Sequence, residues 1–584
     1  MELCKKNKNV FIDRTYLFIS IVLACTIVNI GYMHLNILDI NSLFLYSYNF
    51  ANHTFILIDL IFIYFLCFIF IRKKLYLYLI PYFISLIYLY INILYSRYFN
   101  AYLPFSLYLE YNNLNGLTSN VFAAIRLKDY ILLLTTIVVV ISYYQFARNG
   151  SVKNKIIIPL ILFSVIGISF TRYYIKEEIE NRRLKEHFKE LNDNRSVWTT
   201  INDNICSSHK FTNVDAFFNY GFFINLILEI SDKIQIHDKI DLSHVKPYLY
   251  PSFYNIENRE LSKNLILIIL ESFCSYPIGK TFDGIEITPS LNRLSEEYYY
   301  HSKMCSETKL GESSDGQFIY LTGLLPLNNK VTINEIDASN LPAIPSFLKT
   351  MNPDYKIRMV IPTDSKMWGQ KEMCKKYSID ELYSTDTYYK KIDGWLTDEE
   401  LFDYALEIDE KNLDTKFMSV VLSSSTHSPY KTKLVNKTIN FPDSFSNEFK
   451  NYLYNIHYAD SCLGNYLNRL KTNGLFDKSI IIIVSDHKPN LPQLNMLNSN
   501  ICNDLPLFII NNPIPMNFTP SILYQSTLFP TIIDIMGLNT QWKGVGKSLL
   551  MPDSIMKLDF EVIRKVKEQE ISELLLLSDF KDIN

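Results

Sequence analysis

The sequence is short of several features that would have directed its reading elsewhere. It has no excess of either charge: 57 Lys and Arg face 60 Asp and Glu, a formal net charge of −3. Such a balance gives no reason to expect nucleic acid as a partner. None of the nine cysteines, at positions 4, 25, 67, 206, 274, 305, 374, 462 and 502, forms a CxxC pair or a zinc-like spacing. That argues against a cysteine metal site. Six of them follow residue 200, where an extracytoplasmic compartment would permit disulfides, and the spacing leaves the pairing open. There is no internal repeat and no low-complexity tract. No long apolar run carries a Lys or Arg at its centre, and Asp59 is the only acid inside one, which speaks against a charge-lined transport path.

What is present is unevenly spread. The chain has 584 residues, enough for two or more domains, and 48% of them are hydrophobic. The apolar residues concentrate before about residue 170. Five runs approach the roughly 20 helical residues that cross a hydrocarbon core: Tyr16–Met33, Thr54–Ile71, Leu75–Leu94, Tyr130–Ala147 and Ile156–Phe170. The first lacks a small-residue cleavage site and is followed by further spans, unlike a removed signal peptide. Lys5, Lys6, Lys8 and Arg14 precede the first run, Arg72–Lys74 separate the second and third, and Arg148, Lys153 and Lys155 the fourth and fifth. By the positive-inside bias these loops are cytoplasmic, so everything after Phe170 is expected outside. The expected organisation is a transmembrane domain over 1–174, an amphipathic linker over 175–260, a catalytic domain over 261–555 and a tail over 556–584.

The outer part reads as alternating α/β. Asn264–Leu270, Phe417–Leu422 and Ser479–Val484 are nearly continuous apolar runs, suited to strands covered on both faces. Polar residues follow each: Glu271-Ser272, Ser423 and then Thr426-His427-Ser428-Pro429-Tyr430, and Ser485-Asp486-His487. Open α/β sheets bind ligands at the carboxyl ends of their strands. Each of these residues alone is a common turn or cap residue. Together, Glu271, Asp486 and His487 offer two carboxylates and an imidazole, a donor set for one divalent cation such as Mn²⁺ or Zn²⁺. A hydroxyl completes it in Lys309-Leu310-Gly311-Glu312-Ser313-Ser314-Asp315-Gly316-Gln317-Phe318. A serine opening a helix is either a plain N-cap or a nucleophile whose alkoxide gains from the helix N-terminus and a cation. Ser313 is the candidate catalytic residue and a fourth metal ligand, with Ser314 not excluded.

These motifs resemble the lipoteichoic acid synthases and related phosphoglycerol transferases of the alkaline phosphatase (sulfatase-like) superfamily. The family's first strand ends in Glu-Ser, as at Glu271-Ser272, and its nucleophile segment reads approximately Gly-Lys-Thr-Ser-Asp-Ser-Glu-Phe, aligning with Gly311–Phe318. Ser313 then stands where the family has threonine. Leu325-Pro326-Leu327, Gly474–Asp477, Ser526–Asp534 and Gly546–Leu549 also look like family segments. The resemblance implies a five-helix membrane anchor followed by an extracytoplasmic domain around a central mixed sheet, in a bacterial cell (inner) membrane. It implies transfer of a phospholipid head group, phosphoglycerol, through a covalent Ser313 intermediate to an envelope glycan or lipid acceptor, with His427 and Trp368 touching the substrate. The family's phosphate-holding Trp-Asn-Arg is replaced by Trp368-Gly369-Gln370, which lacks the arginine fork. This departure admits a phosphoethanolamine transferase acting on lipid A or glycan as an alternative. An inactive anchored binding protein is the alternative of another class. A sulfatase is disfavoured, since Ser313–Gln317 has neither the Pro nor the Arg of the Cys/Ser-x-Pro-x-Arg motif.

Overall fold

The computed structural model describes residues 14–37, 79–99, 121–147 and, with short interruptions, 263–550, along with a few isolated positions. The chain divides into two units, Met1–Tyr111 with Thr118–Gln235, and Asn112–Leu117 with Ile236–Asn584.

In the first unit, helices Arg14–Ile37, Leu79–Phe99 and Tyr130–Ser142, the last prolonged by a π-helical turn Tyr143–Ala147, coincide with the first, third and fourth expected spans. The expected spans Thr54–Ile71 and Ile156–Phe170 lie outside the described residues. Among the described helices, the stretch Leu127–Phe146 is long and apolar enough to cross a membrane. A small buried cluster of Phe18, Val22, Tyr82 and Val139 joins the three helices. Lipid is as apolar as such a cluster, so polar contacts and close packing carry much of the association. Thr135 Oγ1 donates to Asn29 Oδ1 at 2.7 Å, and Tyr82 Oη to Thr135 Oγ1 at 3.3 Å. Near one end, Arg97 meets Asp129 with two hydrogen bonds, Nη1 to Oδ2 at 2.9 Å and Nη2 to Oδ1 at 2.7 Å. Tyr32 adds a third to the same carboxylate at 2.8 Å.

Among its described residues the second unit has ten strands: β1 (Asn264–Leu270), β2 (Thr281–Phe282), β3 (Ile285–Glu286), β4 (Tyr299–Cys305), β5 (Lys356–Val360), β6 (Glu381–Tyr383), β7 (Phe417–Leu422), β8 (Ser479–Ser485), β9 (Leu505–Ile510) and β10 (Leu523–Tyr524). β2 and β3 form a separate hairpin, and the other eight make one sheet in the order β10-β4-β9-β8-β1-β7-β5-β6. The strands from β8 through β6 run parallel, whereas β9 is antiparallel to both β8 and β4. The sheet is therefore mixed, as the resemblance implied. All seven residues of β1 are buried, and their pleat sorts them between two cores. Leu265, Leu267 and Ile269 enter one core with Phe318 and Phe529, while Ile266, Ile268 and Leu270 enter the other with Phe402 and Leu463. Alternate side chains thus face the two helical layers, which is why the run has no polar alternation. Leu576 and Ser572 are buried, the Ser572 hydroxyl accepting the Leu325 amide at 2.9 Å, so part of the expected tail 556–584 packs on the domain. Cys305 is disulfide-bonded, while Cys274, Cys374 and Cys462 are free and buried.

One charge pair sits inside the second core. Arg358 on β5 is 1% exposed, lies over the Phe417 ring, and donates to Asp409 of the helix Asp398–Glu410 at 2.9 Å. Burial pushes the Asp409 carboxyl up to about 7 against the pull of the guanidinium. Removing Asp409 leaves the buried guanidinium with only the half-exposed Glu381 carboxylate, 3.7 Å from its Nε, whereas an apolar pair of similar volume leaves no charge in the core. Asp409→Ala is therefore expected to lower stability by about 3–5 kcal/mol in urea unfolding of the purified chain. The double replacement Arg358→Met with Asp409→Leu is expected to recover most of that loss.

Candidate active site and metal centre

β1 and β8 are adjacent, parallel and in register, with Leu270 opposite Ser485. The residues that follow them, Glu271 and Asp486, leave the sheet side by side, with His487 next in line. The two strand ends are tied together by the backbone. The Ser272 amide donates to Asp486 Oδ1 at 2.8 Å and the Phe273 amide to Ser485 Oγ at 2.9 Å. The Glu271 amide donates to Ser423 Oγ, beyond β7, at 3.0 Å. Ser272 adopts φ 46°, a left-handed conformation that few L-residues take and that sharpens the turn out of β1. One ligand atom each from Glu271, Asp486 and His487 lies within 4.8 Å of the others.

Ser313 opens the helix Ser313–Thr322 and faces this cluster. Its Oγ donates to Glu271 Oε2 at 3.0 Å and stands 3.2 Å from His487 Nε2. The structure thus gathers all four residues expected as ligands. Ser314 instead donates its hydroxyl to the Gly311 carbonyl at 2.8 Å. Gly316 allows the close approach of this helix: a Cβ there would sit 2.8 Å from the Asp486 carbonyl oxygen. The Asp315 carboxylate folds the preceding loop by accepting the Lys309 and Gly311 amides at 2.8 and 2.9 Å.

The donor set fits a divalent cation. Asp486 is 1% exposed, and its Oδ2 has no hydrogen-bond partner although it faces His487 Nε2 at 3.7 Å. An orphaned carboxylate oxygen in a buried site is costly unless something positive takes it up. The electrostatics point the same way. Burial, reinforced by the Glu271 charge, pushes Asp486 up to about 7. Burial acts against the charge on Glu271 too, yet the His487 hydrogen bond and charge and the His427 charge hold it below the ordinary carboxylate range. Burial alone would lower His487, but Asp486 and Glu312 raise it well above its usual value. A protonated imidazole supplies the positive charge that two buried carboxylates demand, a role that a bound cation would take over.

Two further residues escape sequence reasoning. Glu312 Oε2 lies 2.9 Å from His487 Nδ1, so a carboxylate orients the imidazole from behind. Its signal was the acid standing where the aligned family segment has lysine. Trp395 joins the aromatic cluster around His427. His427 has the Trp395 ring at 4.9 Å and the Trp368 ring at 6.1 Å, and the indoles meet edge to face at 5.4 Å. Only four tryptophans occur in the chain, and its place before Leu396 gave no hint of the contact. Trp368 is held at φ 50°, which turns its ring towards His427. The Thr426 hydroxyl donates to the Glu271 carbonyl, tying the His427 loop to the turn out of β1. Gln370, where the family's arginine would fall, is 3% exposed.

Residues 263–538 match the sulfatase family, and residues 1–196 match the lipoteichoic acid synthase N-terminal domain. The chain is 24% identical over 490 residues to lipoteichoic acid synthase 2 of Bacillus subtilis (strain 168), covering 78% of this chain and 70% of that one. It is 25% identical over 500 residues to the lipoteichoic acid synthase of Staphylococcus saprophyticus, covering 80% and 73%. The solved structure of the lipoteichoic acid synthase LtaP from Listeria monocytogenes aligns with TM-score 0.44 and 23% identity, over 50% of this chain and 79% of that one. With the two models matched in order along one sequence, the chain carries a sulfatase-family domain preceded by a lipoteichoic acid synthase N-terminal domain, and over most of its length it is similar to lipoteichoic acid synthases.

Proposed function

We propose that the chain is a membrane-bound, metal-dependent transferase that moves a phospholipid head group, phosphoglycerol, through Ser313 to a cell-envelope glycan or lipid. The observation that carries this reading is Ser313 Oγ poised between Glu271 Oε2 and His487 Nε2, beside the unpartnered Asp486 Oδ2. Glu271, Asp486, His487 and Ser313 would hold one divalent cation, Mn²⁺ or Zn²⁺. When bound, that ion lowers the pKa of the serine hydroxyl and offsets negative charge on the phosphoryl oxygens.

The chain's own residues divide the remaining work. Ser313 Oγ, its proton drawn towards Glu271, attacks the donor phosphorus. The phosphorus–oxygen bond to diacylglycerol breaks, and His427 supplies the proton that the leaving oxygen takes. An acceptor hydroxyl then attacks the same phosphorus, its proton passes back to the site, and the Ser313–phosphorus bond breaks to return the free serine. Glu312 keeps the His487 ring in place through Nδ1. Trp368 and Trp395 wall the head group and exclude water. The expected placement is in the cell membrane with the catalytic domain outside, the five spans being the anchor that loop charges and apolar runs support.

One observation favours phosphoethanolamine as the second reading. Two indoles flank His427 while the arginine position is occupied by the buried Gln370, and indole faces suit an ammonium better than an uncharged glycerol. Mass spectrometry of the Ser313 peptide, after incubation with Mn²⁺ and mixed bacterial phospholipids, distinguishes the two by the mass of the adduct.

Ser313→Ala is expected to abolish adduct and turnover with an unchanged unfolding midpoint; retained turnover would sink the assignment. Glu312→Gln is expected to weaken Mn²⁺ binding about 10–100-fold by titration calorimetry, as loss of a carboxylate behind a metal-bound histidine does. Trp395→Ala is expected to raise KM for the donor lipid more than it lowers kcat. An unchanged KM would place Trp395 outside the head-group wall.

A further inference from the structure

The first unit has an open apolar cleft of about 600 Å³ between the helices Leu79–Phe99 and Leu127–Phe146. That volume lies within the roughly 300–1,000 Å³ typical of ligand sites. Its walls include Leu86, Ile87, Tyr90, Leu133 and Thr136, and it runs up to Arg126 and Asp129. The charges at that end do not cancel. Asp129 is buried and already engaged by Arg97 through two hydrogen bonds, by the Tyr32 hydroxyl and by the Arg126 backbone amide. The side chains of Arg126 and Lys128 are exposed, and neither is paired with an acid among the described residues. Of the residues lining the cleft, Arg126 and Asp129 carry charge, and with Asp129 held by Arg97 the Arg126 guanidinium is left to face the slot, with Lys128 two residues further along the chain.

Basic residues at the edge of a hydrocarbon layer reach out to the interface, where anionic lipid head groups attract them. The rim also lies at the end of its helix away from Arg72–Lys74, the side on which the loop charges leave few basic residues. We infer that the first unit binds one anionic glycerophospholipid, its phosphate against Arg126 and Lys128 and one acyl chain in the cleft beside Leu133. The chemistry of the site matches that ligand at both ends. The apolar slot takes the chain, and the guanidinium offers a planar fork to the phosphate. A zwitterionic lipid would bring an ammonium towards the same two cations and be selected against. The inference does not depend on the chemistry at Ser313.

The test is native mass spectrometry of the full-length chain, purified from membranes containing phosphatidylglycerol and phosphatidylethanolamine. Ser313→Ala is used as the background so that turnover does not consume bound lipid. One retained phosphatidylglycerol per chain is expected. The exchange Arg126→Gln with Lys128→Gln should reduce its retention about tenfold or more, and Leu133→Trp should do so with the charges left in place. Both sets lie on exposed positions, so helix content by circular dichroism should not change. No retained lipid, equal retention of the two lipids, or undiminished retention in either variant overturns the inference. Absence of a Ser313 adduct in the unmodified chain, with phosphatidylglycerol still retained, counts against the proposed transfer reaction alone.

Discussion

The pairing of β1 with β8, parallel and in register to the last residue, is the constraint on which the rest of the site depends. A one-residue slip would carry every side chain of a strand to the opposite face, and here both faces are fully buried. Leu270 opposite Ser485 puts Glu271 and Asp486 abreast. The amide of Ser272 on Asp486 Oδ1 and the amide of Phe273 on Ser485 Oγ then fix the two exits relative to each other. Ser313 arrives from a different part of the chain, but its place is judged against this pair, because its hydrogen bond goes to Glu271 and its helix rests on the Asp486 backbone.

The sheet's centre was legible because buried strands announce themselves. Asn264–Leu270 and Ser479–Val484 are apolar from end to end, and the polar residues that follow mark where each strand leaves the core. Their convergence was legible only through the strand-end rule and the family's motifs, since Glu271 and Asp486 are far apart in sequence. Glu312 and Trp395 were missed for the same reason in reverse: each acts through long-range contacts, and the one trace of them in the chain was the acid at 312 where the aligned family segment has lysine. The disulfide at Cys305 was open in the sequence because spacing does not reveal pairing. Burial of Ser572 and Leu576 was missed because short segments near a chain end carry too little periodicity to signal that they pack.

The first unit follows another logic. Where the second unit separates two apolar cores by a sheet, the helices Arg14–Ile37, Leu79–Phe99 and Tyr130–Ser142 share few buried apolar residues and several polar contacts among the described residues. In water the Arg97–Asp129 pair would contribute little, but in a low-dielectric surround its two parallel hydrogen bonds fix three helices through one carboxylate. Apolar runs identify candidate spans; which polar residues meet between them was not encoded in those runs.

Gly316 gives the site an unusual mechanical character. With the Asp486 carbonyl 2.8 Å from where a Cβ would stand, the Ser313 helix and the end of β8 touch backbone to backbone, with no side chain between them to yield. A side chain at such a contact acts as a cushion, absorbing small shifts by changing rotamer; here there is none. Any displacement of the strand end is handed on undamped to the turn that presents Ser313. Ser313 and the carboxylates therefore form one stiff piece, and anyone transplanting this arrangement into another scaffold would have to move the helix and the strand together.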